Sequence, residues 1–168
     1  MITEALALEG VDVLYGDSHV LHDVSFSFNA GRVLALLGRN GAGKTTCMST
    51  IIGFLPPRDG EIRLFGEPIG RLAPETISRK GIGFVPQGRR IFPSLTVREN
   101  LIVAEMRRTI ARLKEEGQSI VLVEQNIKLA LDLADDVVML NTGRVAFAGS
   151  VGEVLHNEAL ITQHLGVF

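Results

Sequence analysis

Nine consecutive residues, Gly38, Arg39, Asn40, Gly41, Ala42, Gly43, Lys44, Thr45 and Thr46, fit the pattern G-x-x-x-x-G-K-[ST]. Each residue type has a use toward a polyphosphate. Glycines let the backbone approach it, and successive N–H groups line a concave anion site. Lys44 supplies a charge for the β- and γ-phosphates, and the Thr45 hydroxyl supplies a ligand for Mg²⁺. A Gly-rich turn with a chance lysine is the competing reading, and the context decides against it. The apolar run Val33-Leu34-Ala35-Leu36-Leu37 leads in, and a helix-compatible run from Thr45 to Gly53 leads out. That is the strand–loop–helix unit that places a helix N-terminus, with its partial positive charge, against phosphate.

Other residues have chemical possibilities that spacing alone leaves open. Tyr15, the only tyrosine, precedes the turn-like Gly16-Asp17-Ser18. It is either a flat surface for a base or a tyrosine packed at a sheet edge. Gln87 follows Gly81-Ile82-Gly83-Phe84-Val85, which reads as a short strand, and could offer an amide oxygen to a metal. Glu124 and Gln125 follow the apolar run Ile120 to Val123, at the end of a strand where α/β sheets place ligand contacts. Arg89-Arg90 is either phosphate-seeking or a solvated loop. His19 and His22 are three apart, with no cysteine or carboxylate in view at ligand spacing, so no metal site is expected there. Cys47, the only cysteine, excludes an intrachain disulfide and reads as a small buried thiol.

The elements that must position these residues follow from patterning. Residues 3 to 37 read as strands. Val24-Ser25-Phe26-Ser27-Phe28 alternates as a half-buried antiparallel strand does. Glu61 to Phe65 alternates again, and Pro74 opens a short helix. Thr96-Val97-Arg98-Glu99 is a capping box. Behind it, Ile102, Met106, Ile110 and Leu113 lie on one helical face, and Gly117 stops the helix. A single helix from about Val97 to Glu116 is expected. Ile127, Ala130, Leu131 and Ala134 line one face of the next helix. Val137 to Leu140, a turn at Asn141-Thr142-Gly143, and Arg144 to Phe147 read as a hairpin. Ser150 to Glu153 caps a last helix. With 168 residues and a net charge of −2, one domain over 1–168 is expected, without a basic footprint for nucleic acid. Apolar runs are too short to span a bilayer, and the N-terminus lacks signal-peptide features.

Together these pieces resemble the nucleotide-binding subunits of ATP-binding-cassette (ABC) transporters, and within them the LivF-type ATPases of branched-chain amino-acid importers. The resemblance is carried by Leu14-Tyr15-Gly16, Val20 to Phe26, the phosphate loop, Gly83 to Arg89, Ile91 to Leu101, Val123 to Asn126, and Ala134-Asp135 to Gly143. It implies an α/β P-loop fold with a mainly parallel core sheet and an N-terminal antiparallel β-layer. It implies ATP and Mg²⁺ as ligands, with Tyr15 stacked on adenine. Gln87 is implied as a sensor of Mg²⁺ and γ-phosphate, and Gln125 stands at the switch position, where most of the family has histidine. Membrane permease subunits contacting residues 88–101, a second ATPase subunit, and a place on the cytoplasmic face of the plasma membrane follow by the same resemblance.

The sequence departs from that family by an internal absence. Between Gln87 and Gln125 the family carries a helical subdomain, an L-S-G-G-Q-type signature, and an apolar strand ending in Asp-Glu. Here Leu101 to Arg108 runs directly into Thr109 to Gly117. The Asp would hold the Mg²⁺ shell and the Glu would be the general base. Ile120 to Glu124 is also an apolar strand ending in a carboxylate, but the residues after it match the switch loop. Two readings are therefore carried: an ATP-hydrolysing importer subunit, and a deletion variant that binds nucleotide without hydrolysing it. A small-molecule kinase is disfavoured by the text around Gln87 and Gln125. If the strand order of the family is kept, the Gln87 and Gln125 strands either pair directly or leave an apolar gap.

Overall fold

The computed structural model describes residues 3–84, 107–124, 126–157, 159–160 and 162. Two four-stranded sheets form its frame. In the first, β1 (Glu4–Tyr15) pairs antiparallel with β2 (Ser18–Asn29) on one edge and β4 (Asp59–Leu64) on the other. A two-residue strand, β5 (Glu67–Pro68), closes the β4 side. The alternation at Val24 to Phe28 is realised, with Val24, Phe26 and Phe28 buried and Ser25 and Ser27 exposed.

The second sheet has the order β6-β3-β7-β8. Strand β3 (Val33–Leu37) lies parallel to β6 (Ile120–Val123) and to β7 (Asp136–Asn141); β8 (Arg144–Ser150) returns antiparallel to β7. All five residues of β3 are buried because both of its faces are covered. Leu34 and Leu36 join Val138 and Leu140 against the first sheet, with Val11, Val13, Leu21 and Val24. Ala35 and Leu37 join Val137 and Met139 on the opposite face, under Ala130 and Leu131 of α4 (Ile127–Leu133) and Val154 of α5 (Val151–Leu155). The loop that follows β3 is thus mounted on the most fully buried strand of the fold.

Helix ends follow the local sequence. Helix α1 (Lys44–Ile51) follows the loop, and α2 (Pro74–Arg79) has proline in its first turn. Residues 107–115 form α3. There Gln118 N–H donates to Leu113 O and Gly117 N–H to Lys114 O, the paired bonds of a Schellman stop with Gly117 at φ 81°. Ser150 and Glu153 make both halves of a capping box. Arg108 and Thr109 are helical, as a continuous helix across them requires; the part of that expectation before residue 107 lies outside the described residues, as does the Thr96 capping box.

One expected element is corrected. Residues 81–84 form no strand. A strand needs a partner backbone, and none of the described strands pairs with this segment. Among the described residues β6 pairs with β3 alone, and its four residues are only half-buried. No described helix is long and apolar enough to cross a membrane.

A polar clamp closes the base of the second sheet. Arg32 makes a two-pronged contact with Asp136, at 2.6 and 2.7 Å. Asp135 accepts from Val33 N–H at 2.9 Å and from Lys114 Nζ at 2.6 Å, so β3, β7 and α3 meet at one carboxylate. Burial pushes the Asp135 carboxyl up, but the Lys114 hydrogen bond, the Val33 N–H and the Lys114 and Arg32 charges outweigh it, and the net direction is down. A lowered folded pKa gives stability that is present above the unfolded value, about 3.9, and lost as pH falls through the folded value. Asp135→Asn keeps an acceptor for Val33 but loses the charge. It is expected to lower stability by about 1–2 kcal/mol near neutrality, between an exposed and a buried pair. Its thermal midpoint should also fall less than that of the unaltered chain on acidification below about pH 4. Parallel acid profiles for the two proteins would contradict this role.

Candidate functional site

The site grows out of the end of β3. Its buried leucines fix the strand, and Gly38 begins a loop that passes between the two sheets. A side chain at 38 would place its first carbon 2.5 Å from Leu140 O. One at 43 would stand 2.7 Å from Leu21 Cδ2, at a φ of 104°. Both positions require glycine, because β7 and β2 close on the loop from either side. Gly143 N–H, in the β7–β8 turn, donates to Ala42 O at 3.0 Å, and His22 N–H donates to Gly143 O at 2.8 Å. The loop is therefore fastened by the turn, and the turn by β2. Gly43 caps α1 without a side-chain hydrogen bond, which leaves the first N–H groups of the helix able to meet an anion.

Lys44 is the loop's charge. It is 9% exposed, and its Nζ donates to Gly38 O at 2.6 Å and Arg39 O at 3.0 Å. Ala42 N–H also donates to Arg39 O, at 3.1 Å, so the ammonium lies across a loop already closed on itself. Burial pushes the Lys44 pKa down. Arg39, Asn40, Gly41 and Thr45 are exposed, whereas Ala42, Gly43 and Thr46 are buried. A buried cation beside an exposed hydroxyl at a helix start is an arrangement suited to a phosphate group with a cation bound on its open side.

Tyr15 ends β1, opposite Ser18, and is 52% exposed. Its ring is open to solvent rather than packed at the sheet edge. Glu124 follows β6. The register Leu36↔Val123 sets it level with Leu37, one strand away from the start of the loop. Its Oε1 accepts from Asn126 N–H at 3.0 Å, and Asn126 in turn caps α4 by accepting from Leu129 N–H. Gln87 and Gln125 lie outside the described residues, as does the segment 88–101. Cys47 is fully buried and its thiol is pushed up to about 12, which makes it an inert packing residue.

The ABC transporter pattern matches residues 21–141, from β2 through the phosphate loop to the end of β7. The chain belongs to the ABC transporter family. It is 28% identical to the high-affinity branched-chain amino acid transport ATP-binding protein BraG of Pseudomonas aeruginosa, covering 96% of this chain and 99% of that one. That alignment runs over 231 positions against a chain of 168 residues, so BraG carries internal positions that this ABC domain lacks. A probable branched-chain amino acid transport protein LivF of Archaeoglobus fulgidus is 25% identical over 91% of this chain and 95% of its own. Among solved structures, the ATP-binding cassette MJ1267 of an ABC transporter superposes with a TM-score of 0.79 over 98% of this chain and 99% of that one, at 15% identity. That last likeness is one of fold. This ABC domain is an ATP-binding subunit by family, and its α/β architecture with two sheets is that of its neighbours.

One reading of the sequence needs correction. A carboxylate does stand beside the two histidines of this ABC domain. Asp12, from β1, meets His19 Nε2 at 2.5 Å, and ligand atoms of Asp12, His19 and His22 all lie within 4.8 Å of one another. Spacing along the chain could not show this, because the carboxylate comes from the neighbouring strand. The turn at Gly16-Asp17 brings β1 and β2 side by side, but the grouping also needs the shift of register in β2, which the residue types do not announce.

Proposed function

We propose that this chain derives from the ATPase subunit of an importer for branched-chain amino acids or a related solute such as urea, and that in this form it binds Mg²⁺-ATP without appreciable hydrolysis. The observation that carries the first half is the glycine-fitted loop holding Lys44 at the start of α1, in a chain aligned with 99% of BraG. In this reading the phosphates lie on residues 38–46, with Lys44 exchanging its two loop carbonyls for β- and γ-oxygens. Mg²⁺ fits the exposed Thr45 hydroxyl, a hard oxygen donor at the helix start. Gln87 is assigned a second oxygen of that shell. Adenine stacks on the open face of Tyr15. Gln125 takes the switch position.

The same reading gives the chain its company. Permease subunits dock through residues 88–101, a second ATPase subunit faces the nucleotide, and the complex sits on the cytoplasmic face of the membrane. The solute is chosen by the permease and not by this chain. The alternative, a domain that hydrolyses ATP with Glu124 as base, is favoured by one observation only, the register that sets Glu124 beside the start of the loop.

Titration of the purified chain with ATP in the presence of Mg²⁺ tests the proposal. Saturable binding at one site is expected, and Tyr15→Ala should weaken it roughly 5- to 150-fold, the range that corresponds to about 1–3 kcal/mol for one base on an aromatic ring. Failure of ATP to saturate would sink the nucleotide reading; unchanged affinity in Tyr15→Ala would sink the stacking role alone.

A further inference from the structure

The three residues Asp12, His19 and His22 are brought together by a defect in strand pairing. In a regular strand, residues three apart point to opposite faces. Here Leu14 pairs with His19 while the adjacent Val13 pairs with Leu21, so β2 carries one extra residue at Val20. That bulge resets the alternation and turns His19 toward the side on which His22 lies. The two imidazole rings come to 3.8 Å between centroids, tilted by 50°. Across the hairpin, Asp12 Oδ1 accepts from His19 and lies 3.4 Å from Asp23 N. The backbone under His22 is fixed by its hydrogen bond to Gly143 O. Asp12 and His22 are half-buried and His19 is exposed, so the group is held from below and open above.

We infer that Asp12, His19 and His22 form a binding site for a divalent first-row transition ion of the zinc class, distinct from the cation that accompanies nucleotide. Two imidazole nitrogens and one carboxylate oxygen are the borderline donor set such ions take, whereas Mg²⁺ and Ca²⁺ favour all-oxygen surroundings. Three protein ligands leave a fourth position to water. An ion would replace the His19–Asp12 hydrogen bond by two bonds to itself, one from an imidazole nitrogen and one from a carboxylate oxygen. The ion ties β1 to β2 just below the turn, and so clips the hairpin whose end carries Tyr15.

The test uses the full chain without nucleotide. Zn²⁺ is titrated in competition with a chromophoric chelator, and Co²⁺ is added in parallel for its visible absorption. One equivalent of each ion is expected, with a Co²⁺ band typical of four-coordinate N/O ligation and a Zn²⁺-dependent rise in thermal midpoint. His19→Ala, His22→Ala and Asp12→Asn should each weaken binding at least about tenfold, since loss of an outer-shell partner alone costs that much. Lys44→Met and His156→Ala should bind as the unaltered chain does. Should the substitutions disturb folding, imidazole nitrogen shifts of His19 and His22 in the unaltered chain replace them as the readout. Absence of one-equivalent binding, or binding indifferent to all three substitutions and to both imidazole signals, overturns the site.

Discussion

Lys44→Met is expected to lower the affinity for Mg²⁺-ATP by roughly 10- to 100-fold, the 1.5–3 kcal/mol carried by a hydrogen bond to a charged group. The geometry argues for the upper part of that range. Lys44 is already desolvated, and its ammonium is held by the carbonyls of Gly38 and Arg39, so little conformational freedom remains to be lost when phosphate oxygens replace them. Methionine fills a similar volume without the charge. Because burial works against the ammonium, the folded state should tolerate the exchange, and the thermal midpoint without nucleotide should be retained. The two measurements together separate a binding role from a structural one. A loss of affinity with an intact midpoint supports the phosphate loop; equal ATP affinity in Lys44→Met removes it.

The phosphate loop was legible because its constraints are local. Gly38 and Gly43 have no room for a side chain, the run Val33 to Leu37 must be buried on both faces, and both facts are written in adjacent residues. The hairpin turning at Asn141-Thr142-Gly143 and the helix stops were legible for the same reason: that turn, Gly117 and the Ser150–Glu153 box each act within a few residues. Two features were not. The strand expected at Gly81 to Val85 has the right residues, but a strand exists only where another backbone receives its hydrogen bonds, and apolar alternation does not report on that partner. The Asp12–His19–His22 group depends on a register shift at Val20, and no side chain in the sequence announces it. Local stereochemistry could thus be read directly, whereas pairing between distant segments could not.

Steady ATP turnover by this chain is expected to lie at least about a thousandfold below that of an ATPase that keeps its general base and metal-shell carboxylate, since a general base alone contributes roughly 10²–10⁴-fold. By the resemblance drawn from the sequence, the base, the metal-shell aspartate and the signature would fall between Gln87 and Gln125, and the text there carries none of them. What remains beside the loop is Glu124, one strand over and level with Leu37. Position alone does not make it a base. Its Oε1 accepts from Asn126 N–H, and through Asn126 it belongs to the cap of α4. To serve catalysis it would have to leave that turn and reach a water held opposite the γ-phosphate. Phosphate release from the purified chain with Mg²⁺-ATP, compared with Glu124→Gln and Lys44→Met, decides the matter. A rate indistinguishable among the three, beside measurable nucleotide binding by the unaltered chain, fits a domain that holds ATP and does not cleave it. Turnover that survives further purification and disappears in Glu124→Gln would overturn this and make Glu124 the base.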